Sequence, residues 1–92
     1  MKGTLHVVGL GPATLEQMSV GSYRLLRQGM KIFVRTVKHP CVQELAQEGI
    51  AFESFDALYE KSATFAEVYQ GIVDALRRAL EEHDEVIYAV PG

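Results

Sequence analysis

The 92-residue sequence has a single cysteine, no tryptophan and no long apolar run, and each scarcity excludes a class of protein. Because Cys41 is the only cysteine, no disulfide can form within the chain, and a reducing, cytoplasmic setting is expected. No apolar stretch approaches the roughly 18 residues that a membrane-spanning helix needs, and the opening MKGTLHVV is too short for the apolar core of a signal peptide. The sequence therefore predicts a protein that is neither secreted nor membrane-spanning.

Positive charge is also scarce. The chain has 9 Lys and Arg against 12 Asp and Glu, for a net charge of −3. The basic residues between 24 and 38 are spread over a predicted helix, strand and loop, which disfavours nucleic acid as a main partner. No spacing typical of metal ligands is present, so no metal site is predicted. The remaining composition, 48% hydrophobic and 23% charged, is that of an ordinary globular domain.

Strand-like and helix-like segments alternate along the chain. The predicted strands are 4–9, 31–35, 50–54 and 85–90. The predicted helices are 19–29, 39–49 and 65–82, with a single turn capped by Asp56 between the third strand and the last helix. This order predicts an α/β fold with a mainly parallel sheet, right-handed crossovers and helices on both faces. The last strand is apolar on both sides and is expected at the centre of the sheet.

Local signals mark where the helices begin. Ser19 is a candidate N-cap for the first helix, although a capping box from Thr14 to Gln17 would start it earlier. A capping box of Thr64 and Glu67 opens the long helix. The apolar residues of that helix fall on one continuous face: Phe65, Val68, Tyr69, Ile72, Val73, Leu76 and Leu80.

The first strand ends in Gly9-Leu10-Gly11-Pro12, the most informative loop of the sequence. Glycine permits positive φ and close approach of another molecule, and proline fixes its own φ. The loop is not a Walker A motif, because no Gly-Lys-Ser/Thr follows, and Thr14 stands where a dinucleotide fingerprint has its third glycine. Ligands of open α/β sheets bind at the carboxyl ends of the strands, so the loop predicts a ligand site, with a simple tight turn as the alternative.

Several other polar residues have both a structural and a functional interpretation. Arg35 and Thr36 follow the second strand at the same sheet edge, where Arg35 either pairs with a carboxylate or phosphate or is a solvated strand end. His39 is interpreted as a helix N-cap. Cys41 is interpreted as a packing thiol, with a reactive thiol of lowered pKa as the alternative. His83 is expected in an exposed loop.

The first loop and the residues around it resemble the opening of the tetrapyrrole (corrin/porphyrin) methylases. The matching positions are Val8, Gly9, Gly11, Pro12, Met18 and Ser19. Two positions depart from the family pattern, since Ala13 replaces a glycine and Thr14 replaces an acidic residue. Three further motifs resemble the methylase-like domain that precedes MazG-type nucleotide pyrophosphohydrolase domains: RTVKHP at 35–40, FDALYE at 55–60 and VPG at 90–92.

This resemblance implies a fold of two α/β domains with the cofactor in the cleft between them. The 92 residues would form most of the first domain, as a fragment that lacks the second. S-adenosylmethionine is then expected to bind near Val90, Pro91 and Gly92. The substrate side of the cleft would be lined by Gly9, Leu10, Gly11, Pro12, Arg35 and Thr36. The sequence assigns no catalytic residue.

The function implied for the parent protein is S-adenosylmethionine-dependent methyl transfer to a small molecule, tetrapyrrole-like or unknown. The alternative is a non-catalytic binding or regulatory module fused to a MazG-type nucleoside triphosphate pyrophosphohydrolase, which Ala13 and Thr14 favour. A third possibility, a generic nucleotide-binding fragment, predicts binding of NAD or ATP. The isolated fragment is expected to be inactive and to form a homodimer, because the fourth strand and the long helix carry apolar faces that the missing domain would cover.

Overall fold

The computed structural model describes residues 3–11 and 18–91. The strands are β1 (Thr4–Gly9), β2 (Lys31–Val34), β3 (Glu53–Ser54) and β4 (Glu85–Val90). The helices are α1 (Val20–Leu26), α2 (Pro40–Gln47), α3 (Asp56–Lys61) and α4 (Phe65–Glu82). Within the described residues, no helix is long and apolar enough to cross a membrane.

The four strands form one parallel sheet in the order β1-β4-β2-β3. This confirms the predicted α/β fold and the central place of β4, which pairs with β1 on one side and β2 on the other. In this register Gly9 lies opposite Val90, and Val34 lies opposite Ala89. The carboxyl ends of β1, β4 and β2 therefore meet along one edge of the sheet.

Helices cover both faces of the sheet, as predicted. On one face, α1 and α2 enclose a core that includes Leu26, Cys41, Val42, Leu45 and Ile87. On the other face, α3 and α4 enclose a second core that includes Phe33, Phe55, Val68, Ile72 and Val86. Alternate residues of β4 point into different cores, which explains why that strand is apolar on both sides.

The predicted third strand, 50–54, is shorter than expected. Only Glu53 and Ser54 pair with β2. Gly49 has a φ of 82°, and the Ile50 N–H donates to the Leu45 carbonyl at 3.2 Å, which closes the end of α2. Residues 50–52 are needed to carry the chain from this turn to the sheet edge, so they cannot join the ladder.

The start of α1 at Ser19 agrees with its predicted N-cap, because the Ser19 hydroxyl accepts from the Ser22 N–H at 3.1 Å. The alternative start at Thr14 lies outside the described residues. The N-cap bond of the predicted capping box of α4 forms, because the Thr64 hydroxyl accepts from the Glu67 N–H at 3.2 Å. The returning bond is shifted by one residue, since the Glu67 carboxylate accepts from the Ala63 N–H at 2.7 Å. The bounds of α4 are those predicted.

The continuous apolar face predicted for α4 is only partly buried. Its buried residues are Val68, Ile72, Leu76 and Ala79. Phe65, Tyr69 and Val73 are instead 73%, 56% and 41% exposed. These three residues, spaced four apart, form an outer stripe beside the buried one. The apolar arc of the helix is wider than its contact with the sheet, so one side of the arc stays uncovered.

Candidate functional site

The candidate site lies at the carboxyl edge of the sheet, where the loops after β1, β2 and β4 come together. The Leu10 N–H donates to the Val90 carbonyl at 2.8 Å, and the Arg35 N–H donates to the Ala89 carbonyl at 3.1 Å. These bonds extend the ladders past the strand ends and fix Gly11, Arg35 and the end of β4 side by side.

Most of the sequence-predicted site residues are gathered along this edge: Gly9, Leu10, Gly11, Arg35, Thr36, Val90 and Pro91. Leu10 is 1% exposed as a whole residue and packs into the core, so it adds almost no surface to the candidate site. Pro12, Ala13, Thr14 and Gly92 lie outside the described residues.

His39 links the glycine-rich loop to α2. Its Nδ1 accepts from the Cys41 N–H at 3.1 Å, which confirms the predicted N-cap. Since Nδ1 is the acceptor, the neutral ring carries its proton on Nε2, which donates to the Gly11 carbonyl at 3.2 Å. Gly11 has a φ of 82°, a conformation that favours glycine. His39 therefore holds the loop in a fixed position, a role that the sequence did not reveal.

Arg35 is positioned by Tyr88 of β4. The guanidinium donates to the Tyr88 hydroxyl, and this hydrogen bond raises the pKa of Arg35 more than burial lowers it. Among the described residues, the buried Nε–H of Arg35 has no acceptor. A buried donor without a partner costs on the order of 1–3 kcal/mol and often marks a place where a water, ion or ligand belongs.

A cleft of about 440 Å³ opens beside Arg35, a size within the range of small-molecule sites. We refer to it as the aromatic cleft, and its lining residues are Arg35, Thr36, Lys38, Asp56, Tyr59, Phe65 and Tyr69. Its aromatic wall is not visible in the sequence, because periodicity alone does not distinguish Phe65 and Tyr69 from the buried residues of α4. Tyr59 is 37% exposed in that wall.

Asp56 does not cap α3 as predicted. The N-cap position is Phe55, which makes no side-chain capping bond, and Asp56 is the first helical residue. Its carboxylate instead accepts from the Val37 N–H at 2.9 Å and from the Thr36 hydroxyl. The Thr36 bond is the largest cause of an Asp56 pKa below its usual range. Asp56 therefore binds the loop after β2 instead of capping α3.

Replacing Asp56 by asparagine is expected to lower the free energy of unfolding by about 1 kcal/mol at pH 7, because a neutral amide accepts these bonds more weakly. The folded pKa of Asp56 lies below the unfolded one. The carboxylate's contribution is therefore complete above the unfolded pKa of about 4 and is lost as pH falls through the lower folded value.

Urea unfolding of wild type and Asp56→Asn at pH 7 and pH 3 measures this difference. Asp84, exposed and just before β4, provides the matched control, and Asp84→Asn is expected to change stability by less than about 0.5 kcal/mol. A difference between wild type and Asp56→Asn that is as large at pH 3 as at pH 7 would contradict the role of the ionised carboxylate.

A second cavity, of about 360 Å³, lies at the opposite, amino edge of the sheet. Lys31 and Glu53 in its wall form an ion pair with each other. Their charges are thereby matched within the protein, and neither the glycine-rich loop nor Arg35 reaches this edge. The aromatic cleft, at the carboxyl edge, is therefore the better candidate site.

Cys41 is a packing residue. Its side chain has no exposed surface, and burial, followed by the nearby Glu44 carboxylate, raises the pKa of the thiol. The alternative of a reactive thiol is therefore wrong, because the reactive species is the thiolate. In the described ranges, 3–11 and 18–91, no group of three or more His, Cys, Asp or Glu side chains is placed to share a metal ion.

Comparison with known proteins adds an independent observation. A family model described as Tetrapyrrole (Corrin/Porphyrin) Methylases matches residues 4–92. The chain is also 41% identical over its 92 residues to "Uncharacterized protein YabN" of Bacillus subtilis (strain 168). That match covers 100% of this chain and 19% of the relative, so the chain spans about a fifth of the relative's length.

Proposed function

The chain belongs to the tetrapyrrole (corrin/porphyrin) methylase family, and from that premise we propose that its parent protein transfers a methyl group from S-adenosylmethionine to a small-molecule acceptor. The observation that carries the proposal is the meeting of the Gly9–Gly11 loop, Arg35 and the end of β4 at one sheet edge. This is the edge at which parallel α/β sheets bind ligands.

In this proposal the cofactor lies against the end of β4, held by Val90, Pro91 and Gly92. The described residues fit such a ligand, because Val90 is half-buried and Pro91 is exposed. Gly9, opposite Val90, is exposed and has no side chain. The bound cofactor supplies the methyl group on a sulfonium leaving group. What the protein then has to supply is position and electrostatics.

The acceptor is proposed to lie on the side of the Gly9–Gly11 loop, Pro12, Arg35 and Thr36. His39 holds the Gly11 carbonyl in place, and Tyr88 holds the Arg35 guanidinium. A fixed guanidinium can bind an anionic group of the acceptor through two parallel hydrogen bonds and so set its orientation. The acceptor, tetrapyrrole-like or of another class, is thereby aligned with the cofactor.

Calorimetry on the full-length protein tests the cofactor directly. We expect S-adenosylmethionine and S-adenosylhomocysteine each to bind with measurable heat, and NAD and ATP to bind more weakly. A pair of glycine variants locates the site, since Gly11 and Gly29 have φ of 82° and 84° at opposite edges of the sheet. Gly11→Ala should weaken S-adenosylhomocysteine binding at least about tenfold, whereas Gly29→Ala should leave it unchanged.

If neither S-adenosylmethionine nor S-adenosylhomocysteine gives binding heat with folded protein, the methyltransferase function is excluded. The remaining candidate would then be a non-catalytic module fused to a MazG-type pyrophosphohydrolase. Ala13 and Thr14, which depart from the family loop, favour this second candidate. The motifs at 35–40, 55–60 and 90–92 are the reason for proposing a MazG-type domain in the parent protein under either function.

We also propose that the isolated chain is inactive and forms a homodimer, for a reason that differs in part from the sequence-based one. β4 is covered on both edges, and the exposed apolar residues include Leu5 and Val7 of β1 together with Val73 of α4. In the parent protein the second domain is the proposed cover of these three residues. Light scattering at micromolar concentration should give the mass of a dimer, and a monomeric mass would contradict the proposal.

A further inference from the structure

Three aromatic rings in the wall of the aromatic cleft are exposed to solvent. Phe65 is 73% exposed, Tyr69 is 56% exposed and Tyr59 is 37% exposed. Aromatic faces bind planar rings by offset stacking, at a separation of roughly 4.5–7 Å between ring centres. Three rings around one cleft therefore favour a ligand that contains a planar ring.

The charge of the cleft favours an anion. Arg35 and Lys38 contribute two positive charges, and Asp56 contributes the single negative charge. The Asp56 carboxylate is turned toward the loop after β2, where the Val37 N–H and the Thr36 hydroxyl donate to it. Lys38 also helps to lower the pKa of Asp56, so these two opposite charges offset each other and the unmatched positive charge of the cleft is that of Arg35.

Arg35 offers the most specific contact. Tyr88 hydrogen-bonds to the guanidinium, and the Nε–H is buried without an acceptor among the described residues. Because Nε is buried, a carboxylate or phosphate in the cleft would accept two parallel hydrogen bonds end-on from the two terminal Nη groups.

From these three observations we propose that the aromatic cleft binds a small planar ring bearing a phosphate or carboxylate, with the ring against Tyr69 and Phe65 and the anion on Arg35. The volume of about 440 Å³ suits a ligand of this size. The inference rests on the proposed function only in assigning this ring as the methyl acceptor. The binding itself requires no cofactor.

The test is calorimetry on the full-length protein with saturating S-adenosylhomocysteine, so that any cofactor site is already filled. The probes are AMP and 2-naphthoate, which combine a ring with a phosphate or a carboxylate. Adenosine supplies a ring without an anion, and inorganic phosphate supplies an anion without a ring. We expect AMP or 2-naphthoate to bind at least about tenfold more tightly than adenosine and phosphate, and the better of the two identifies the preferred anion.

Variants place the ligand in the cleft. Arg35→Gln and Tyr69→Ala should each weaken binding about tenfold or more, whereas Tyr69→Phe keeps the ring and should bind like wild type. Arg77→Gln, on the same helix outside the cleft, is the matched control. Tyr69 is exposed, so its variants should remain folded even if Arg35→Gln does not.

The inference is overturned if neither ring-bearing anion binds at millimolar concentration, or if binding survives both Arg35→Gln and Tyr69→Ala. The heat of S-adenosylhomocysteine binding is recorded before any probe is added. A failure of the methyltransferase proposal is therefore distinguished from a failure of the aromatic-cleft proposal. If S-adenosylhomocysteine gives no heat but AMP or 2-naphthoate still binds, the proposed cofactor is excluded and the proposed ligand of the aromatic cleft is supported.

Discussion

Replacing Ile87 by alanine is expected to lower the free energy of unfolding by about 3–4 kcal/mol. Ile87 has no exposed surface and lies in the central strand, where it pairs with His6 of β1 and Ile32 of β2. Removal of three carbon atoms there loses apolar burial and leaves a cavity that fixed neighbours cannot fill, for which losses of about 2–5 kcal/mol are typical. Small domains have only about 5–15 kcal/mol in total, so the effect should be severe.

Urea unfolding followed by circular dichroism, at one fixed protein concentration because the chain is expected to dimerise, measures the loss. Val20→Ala is the matched control, since Val20 is 64% exposed at the start of α1, outside the surface proposed for the dimer, and should cost less than about 0.5 kcal/mol. Similar losses for the two variants would show that β4 is not the centre of the core.

Replacing His39 by alanine should cost about 2–3 kcal/mol. The change removes the N-cap of α2, worth about 1 kcal/mol, and it also leaves the Gly11 carbonyl without its donor. His39 is 8% exposed, so water replaces these bonds poorly. The glycine-rich loop would be released from α2, and any ligand that depends on the loop should bind more weakly.

Asparagine at position 39 separates the two contributions. It is a strong N-cap but is too short to reach Gly11, so His39→Asn should recover about 1 kcal/mol of the loss without restoring the loop. The same urea experiment compares both variants, with the exposed Gln43→Ala on α2 as control. Equal stability of His39→Asn and His39→Ala would contradict the capping role.

Most of the fold was predictable because its signals are local. The bounds of β1, β4 and α4 follow from apolar runs and a capping box, and the alternation of strands and helices predicts parallel pairing. Periodicity shows which residues of α4 are apolar, but it cannot show how much of that arc a neighbour covers. The exposure of the outer stripe therefore does not follow from periodicity alone.

The contacts that shape the site were not predictable, because their partners are distant in sequence. His39 and Gly11 are 28 residues apart, and the bond between Arg35 and Tyr88 depends on β4 lying beside β2. Asp56 is a case in which a distant contact replaces a local one. Its local pattern fits a helix cap, yet the folded chain brings the Val37 N–H and the Thr36 hydroxyl to its carboxylate.

We propose that the parent protein binds its cofactor at the carboxyl edge of this sheet. Amide hydrogen exchange of the full-length protein, with and without S-adenosylhomocysteine, tests it most directly. The claim predicts slower exchange in peptides that contain Leu10 and Gly11 and in those that contain Val90, with no change around Met30 to Ile32 at the amino edge. Protection confined to the amino edge, or no protection anywhere in this chain at saturating ligand, would contradict it.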